Sequence, residues 1–161
     1  KAAEAESVLE KAGVQLPKDA DEWHNNFTTI AETIPASIVI SDMTISGAPM
    51  VYVNDEFCKV TGYERSEAQG RNCRFLQGPE TDPCAVAKIR KAIEDGFDTS
   101  VCLLNYKANG EPFWNQFFVA ALRDADGNIV NYVGVQCEVN QLPLDVIKER
   151  AKRMALLHAE E

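Results

Sequence analysis

The pattern of apolar and polar positions along the chain divides it into three zones. Residues 2–12 place Ala5, Val8, Leu9 and Ala12 on one helical face, and Gly13 supplies a stop. After Pro17, Asp19-x-x-Glu22 forms a capping signal with Asp19 or Asp21 as the cap. Trp23, Phe27, Ile30 and Ile34 then recur at helical spacing until Pro35, a stripe suited to core or interface packing. At the other end Pro143 opens an amphipathic stretch with Leu144, Ile147, Ala151, Met154 and His158 on one side. Between these flanks the period shortens. Ser37–Ser41 and Met50–Asn54 read as two short strands separated by a loop containing Gly47. Short helices are predicted around 55–60 and 65–69, and a longer one from Pro83 to Glu94 stops at Gly96. Strands over 99–107, 112–123 and 128–139 follow, joined at Asn109-Gly110 and Asp126-Gly127, so this part is an antiparallel meander in an α+β core.

The meander departs from simple alternation. Successive strand residues face opposite ways, yet both parities of the middle strand are apolar: Phe113, Phe117, Val119 and Ala121 on one side, Trp114, Phe118, Ala120 and Leu122 on the other. A sheet with one wet face alternates, so both faces are expected to be covered, one by the short helices and the other by the flanks or a partner subunit. Among these apolar neighbours each strand carries one carboxamide: Asn105, Asn115 and Gln136. A buried carboxamide must find partners for two donors and an acceptor. Either each bonds to backbone or water, or the three line a pocket and read the polar edge of a flat heterocycle.

Composition narrows the function classes. The 161 residues are 45% hydrophobic and 25% charged, with a net charge of -9, which argues against nucleic-acid binding because phosphate neutralisation needs clustered Lys and Arg. The longest apolar runs, Phe117 to Leu122 and Ala36 to Ile40, fall far short of the roughly 18 residues of a membrane helix. The chain begins at Lys1 without a signal-peptide pattern, as expected of a piece of a longer protein. Five cysteines (Cys58, Cys73, Cys84, Cys102, Cys137), odd in number and without a C-x-x-C, suit reduced thiols in an intracellular compartment, cytoplasm or nucleus. Asp124-x-Asp126-Gly127 lacks the first acid and the closing Glu of a calcium loop.

Candidate chemistry concentrates in Gly70-Arg71-Asn72-Cys73-Arg74-Phe75-Leu76-Gln77-Gly78. Positive charge from Arg71 and Arg74 favours thiolate at Cys73, which suits a nucleophilic or redox-sensing cysteine. Against a Cys–His dyad, no histidine lies between residues 25 and 157. Arg74 and Arg90 could hold a phosphate through forked hydrogen bonds, although Arg90, in Lys88-Ile89-Arg90-Lys91, also fits a solvated helix face.

Asn72-Cys73-Arg74-Phe75-Leu76-Gln77 resembles the signature of light-oxygen-voltage (LOV) photoreceptor domains, a flavin-binding branch of the PAS fold. The resemblance runs over roughly residues 36–140. It includes Asn54-x-x-Phe57, Thr61-Gly62-Tyr63, Gly78-Pro79-Glu80-Thr81-Asp82, Leu104-Asn105-Tyr106, Phe113-Trp114-Asn115 and Gly134-Val135-Gln136. Ser100 to Cys137 looks closest to the aureochromes, LOV transcription factors of stramenopile algae. The resemblance implies a PAS-like five-stranded antiparallel sheet whose short helices on one face enclose a ligand. With the helical flanks read from periodicity, the expected organisation is N-terminal flanking helices (1–35), LOV core (36–140) and C-terminal amphipathic helix (141–161).

The same resemblance implies a blue-light sensor rather than an enzyme, binding flavin mononucleotide (FMN). Cys73 matches the photoactive cysteine that bonds reversibly to flavin carbon C4a. Gln136 matches the glutamine near flavin N5 that relays the signal, and Asn105 and Asn115 match the amides on the pyrimidine edge. Arg74 and Arg90 match the phosphate pair, and Asn72 and Gln77 polar contacts to the ribityl chain and ring. Leu76, Phe117, Val119, Tyr132 and Gly134 match positions enclosing the ring. Ser37 and Ser41 stand where many members carry Asn and Thr, and Ala48 where some carry Asn. The expected partners are a second copy or an effector domain outside the chain. Two other readings stay open: a PAS-type ligand-binding and dimerisation module without a photocycle, and a thiol redox sensor.

Overall fold

The computed structural model describes residues 20–140, together with helical backbone at 147, 148 and 152. The helix expected over 2–12, the Asp19 cap and most of the C-terminal amphipathic stretch lie outside the described residues. The chain divides between Ile34 and Pro35 into two compact units. In the first, α1 (Ala20–Thr33) carries the periodic run, with Asp21 inside the helix rather than capping it. Proline disfavours helical backbone in the residue before it, so Ile34 leaves the helix, and the Thr33 hydroxyl turns back onto the Ile30 carbonyl at 2.7 Å. Ile30 and Ile34 are 59% and 39% exposed. That end of the stripe is therefore not core.

The second unit is a five-stranded antiparallel sheet in the order β2-β1-β5-β4-β3, with β1 Ser37–Asp42, β2 Met50–Val53, β3 Thr99–Tyr106, β4 Pro112–Arg123 and β5 Ile129–Glu138. Between β2 and β3 run α2 (Asp55–Thr61), α3 (Arg65–Ala68), a 3-10 turn at Cys73–Leu76 and α4 (Pro83–Asp95). Each expected strand and helix of the core is present within one or two residues. Asn54, expected to end a strand, instead caps α2. Its Oδ1 accepts from the Phe57 and Ile38 amides (3.0 and 2.9 Å), and its Nδ2 donates to the Ala36 carbonyl at 2.9 Å. α4 is opened by Asp82 and Pro83 and closed by Gly96 at φ 73°, the left-handed conformation that glycine adopts without steric cost. In the β4–β5 turn the Asp124 carboxylate accepts from the Asn128 side chain and from the backbone amides of Asn128 and Asp126, which holds its pKa below the usual carboxylate range. Those oxygens serve their own turn.

The two faces of the sheet differ. On β4, Phe113, Asn115, Phe117 and Val119 are buried, whereas Phe118 and Leu122 on the other parity are 44% and 43% exposed. Both faces are expected to be covered, the outer one by the flanks or a partner subunit; the described elements of the core leave these two positions exposed. The β2 edge is closed to strand addition, an edge otherwise prone to pairing. Met50 exchanges backbone bonds with Arg71 and Gly70 (2.8 and 2.9 Å), Gln69 Nε2 donates to the Val51 carbonyl at 3.0 Å, and Arg65 donates to the Val53 carbonyl. Two apolar clusters form the inner core. One gathers Val39, Met50, Val53, Phe57, Ala68 and Leu76; the other joins Ala85 of α4 to Val101, Leu103, Phe117, Val119 and Tyr132 of the sheet.

Candidate functional site

A cavity of about 720 Å³ opens on the inner face, bounded by the sheet, α4, the 3-10 turn and the loop after β1. That volume suits a cofactor-sized ligand. Its floor comes from alternate residues of three strands, as the two-residue period of a strand requires. Asn105 and Leu103 come from β3, Asn115, Phe117 and Val119 from β4, and Tyr132, Gly134 and Gln136 from β5. Gly134 is required by space: a Cβ there would stand 2.6 Å from the Phe117 ring and 2.8 Å from a Val39 methyl. Tyr132 is buried, and its hydroxyl donates to the Ile93 carbonyl of α4 at 3.3 Å.

The three carboxamides form one connected row. Asn115 Nδ2 donates to Asn105 Oδ1 at 2.9 Å and to Gln136 Oε1 at 3.2 Å, while Asn105 Nδ2 reaches its neighbouring Leu104 carbonyl at 3.3 Å. Asn115 Oδ1 is buried and has no hydrogen-bond partner. The two expectations for these amides are thus both partly met: Asn105 bonds backbone, and all three line a pocket. An orphaned buried acceptor costs about 1–3 kcal/mol, and here it belongs to a residue of the cavity floor.

The 3-10 turn supplies the opposite wall. Asn72, Cys73, Arg74, Leu76 and Gln77 all reach the cavity. Asn72 organises the turn. Its Oδ1 accepts from the Arg74 backbone amide (3.1 Å) and from Arg74 Nε (3.0 Å), and its Nδ2 donates to the Gly47 and Ala48 carbonyls at 2.7 and 3.1 Å. Those carbonyls belong to a left-handed pair, Gly47 at φ 86° and Ala48 at φ 47°. Cys73 Sγ lies 3.9 Å from Asn72 Oδ1. Burial pushes the Cys73 thiol above its ordinary pKa, with Arg74 pulling weakly the other way. The sequence-level expectation that arginines favour thiolate is therefore reversed: desolvation outweighs the charge, and the resting group is a neutral thiol.

Arg90 also lines the cavity, from an exposed position on α4, and forms no ion pair or hydrogen bond among the described residues. All thirteen candidate residues thus border one space. Sequence reasoning missed Val86, Ile89 and Ile93 of α4, which line it with Arg90. Their spacing of three and four residues is a helical stripe that could have been read as a cavity wall. It also missed the rim from Met43 to Gly47, which carries no comparable signal beyond the glycine.

A family model for the PAS domain matches residues 35–141. The structure superposes on the light-state aureochrome 1 LOV domain with a TM-score of 0.66 at 51% identity, covering 80% of this chain and 97% of that one. The chain belongs to the LOV branch of the PAS family. A second LOV domain, studied through a flavin analogue, gives a TM-score of 0.70 at 52% identity, covering 81% of this chain and 94% of its own. Phototropin-2 of Oryza sativa subsp. japonica is 38% identical over 157 residues, 88% of this chain and 17% of that protein. This LOV domain spans less than a third of the length of the curated relatives it matches. It is a photosensory domain of the LOV type, as its likeness to other LOV domains indicates. Among the described residues no helix is long and apolar enough to cross a membrane, and no group of His, Cys, Asp and Glu could hold a metal ion.

Proposed function

We propose that this LOV domain binds FMN and senses blue light through Cys73. The observation that carries the reading is a cavity bordered on one side by the half-buried Cys73 thiol and on the other by a row of three amides with an unpaired acceptor. The residues fit the cofactor on several counts. Asn115 Oδ1 lacks a donor, and the imide N–H of a flavin ring is one. Gly134, where Phe117 and Val39 leave no room for a side chain, keeps its stretch of the cavity floor low. Arg74 and Arg90 provide two guanidinium groups for a terminal phosphate. Asn72 and Gln77 would meet the ribityl chain and ring, with Leu76, Phe117, Val119 and Tyr132 enclosing the ring.

Bound flavin would absorb the light and offer carbon C4a to the Cys73 sulfur, the bond breaking again in the dark. Everything else in the photocycle falls to the protein. Asn72 holds the turn that carries the thiol. Desolvation keeps that thiol protonated, so Cys73 holds a proton inside the site. Gln136, whose amide can present either a donor or an acceptor, would meet the flavin at N5 and could follow a change in its protonation. The signal leaves through the flanks, 1–35 or 141–161, toward a second copy of the chain or an effector domain beyond it, in a reducing intracellular compartment. A raised thiol pKa disfavours a dark redox sensor, because the thiolate is the species that oxidants attack.

Absorption spectra of the purified protein before, during and after blue light test this directly. A structured flavin band that bleaches and returns is expected, and Cys73→Ala should keep the band and lose the bleaching. A band that never bleaches would reduce the domain to a ligand-binding module. Absence of flavin, with Cys73 modified by oxidant in darkness, would favour the thiol sensor.

A further inference from the structure

We propose that Thr81 is a positioning residue for Asn105: its hydroxyl holds the Leu104 carbonyl, so that the Asn105 amide can leave that carbonyl for the edge of a bound flavin. The proposal rests on the flavin reading above and adds to it a residue that does not line the cavity.

The edge of the sheet explains why a hydroxyl is needed. β3 is the last strand in the sheet order. Opposite Leu104, Trp114 turns its carbonyl toward β5 and accepts from the Val139 amide at 2.9 Å. Leu104 therefore stands in a pair without mutual hydrogen bonds and turns its own carbonyl to the open edge. The loop after the 3-10 turn covers it. Thr81 Oγ1 donates to the Leu104 carbonyl at 2.6 Å and accepts from the Gly78 amide at 2.9 Å, while the Thr81 amide donates to the Gly78 carbonyl at 3.0 Å. Tyr106 keeps the loop in place. Its hydroxyl accepts from the Glu80 amide at 3.1 Å, and its ring lies so close to Gly78 that a Cβ there would stand 2.3 Å away.

Asn105 shares the same carbonyl. Its Nδ2 reaches Leu104 at 3.3 Å, against 2.6 Å for the Thr81 hydroxyl. A carbonyl oxygen offers two acceptor sites, and the shorter contact is the stronger. Thr81, Leu104 and Asn105 are all buried, so bulk water does not stand in for either donor. When a flavin edge draws Nδ2 away, the Leu104 carbonyl keeps Thr81. Without the hydroxyl the same movement orphans a buried acceptor, and that cost is subtracted from binding. Thr81 thus acts on the site through Asn105 rather than by touching the ligand.

The test titrates FMN into wild type, Thr81→Val and Thr81→Ser as full chains, each with and without Asn105→Ala, reading affinity from flavin fluorescence. Thr81→Val keeps the shape of the side chain and should weaken FMN binding about fivefold, the factor for a net bond of about 1 kcal/mol. Thr81→Ser, which keeps the hydroxyl, should bind like wild type. With Asn105→Ala no amide is left to move, so Thr81→Val should then change affinity by less than about twofold. A second measurement needs no substitution: the Gly78 amide of wild type, held by Thr81, should exchange its hydrogen equally slowly with and without FMN. Unchanged affinity in Thr81→Val, weakened binding in Thr81→Ser, an equal loss in the Asn105→Ala background, or faster Gly78 exchange on FMN loading would each overturn the assignment while leaving flavin binding intact. A wild type that takes up no FMN would overturn the flavin reading itself, and this proposal with it.

Discussion

Two sets of buried amides serve the same unit and do opposite things. Asn54 is fully buried and fully occupied: it caps α2, holds both sides of Ser37, and its backbone amide donates to the Ile38 carbonyl at 3.1 Å. The row of Asn105, Asn115 and Gln136 is equally buried but incomplete, with one acceptor left over. A polar core group whose bonds are all internal builds the fold. One whose bonds stop short faces something the fold does not contain. The distinction is drawn by hydrogen-bond accounting, not by burial.

The largest effect is expected from breaking the complete set. Asn54→Ala strands the Ile38 and Phe57 amides and the Ala36 carbonyl, so chemical denaturation should report a loss of about 3 kcal/mol or more, with or without flavin. Asn115→Leu should show the opposite pattern. It removes an unpaired buried acceptor along with two donor bonds, so apoprotein stability should move by less than about 1.5 kcal/mol, while FMN affinity measured by fluorescence titration falls about tenfold or more. An Asn115→Leu variant that bound FMN normally would erase the comparison. On the outer face, Phe118→Ser should change stability by about 1 kcal/mol or less and leave flavin occupancy untouched, since that ring is 44% exposed and outside the cavity.

The smallest effect concerns Cys73. Burial raises its folded-state pKa above the unfolded one, so its contribution to stability is complete below the unfolded thiol's pKa of roughly 8.5 and is lost as pH rises through the folded value. Melting temperatures above that pH should fall more for wild type than for Cys73→Ser.

Much of this was legible in the chain, for reasons that can be named. Asn105, Asn115 and Gln136 stood out because strand parity placed each among apolar neighbours, and polar residues at core positions are informative where hydrophobic ones are not. The hairpin glycines and the Asp82–Pro83 and Gly96 limits of α4 rest on local backbone chemistry and were equally plain. Asn54 was not legible as a clamp, because its partners Ala36 and Ile38 lie 18 and 16 residues away and no local pattern announces them. The outer face is legible only as apolar: spacing shows that Phe118 and Leu122 call for cover, not which flank or subunit supplies it. Thiol ionisation failed too, since sequence shows the arginines beside Cys73 but not the depth at which desolvation overrides them.

Asn72 has a consequence for how the domain can change over time. One carboxamide receives the side chain of Arg74 and reaches two consecutive carbonyls of the loop after β1. Insertions just before Gly47 can bulge into solvent, whereas an insertion between Ala48 and Met50 shifts both carbonyls off that carboxamide and loosens the guanidinium with them. Length variation in this loop is therefore expected to collect on its upstream side, and a loop transplanted from a relative should work only when its downstream end is spliced in register.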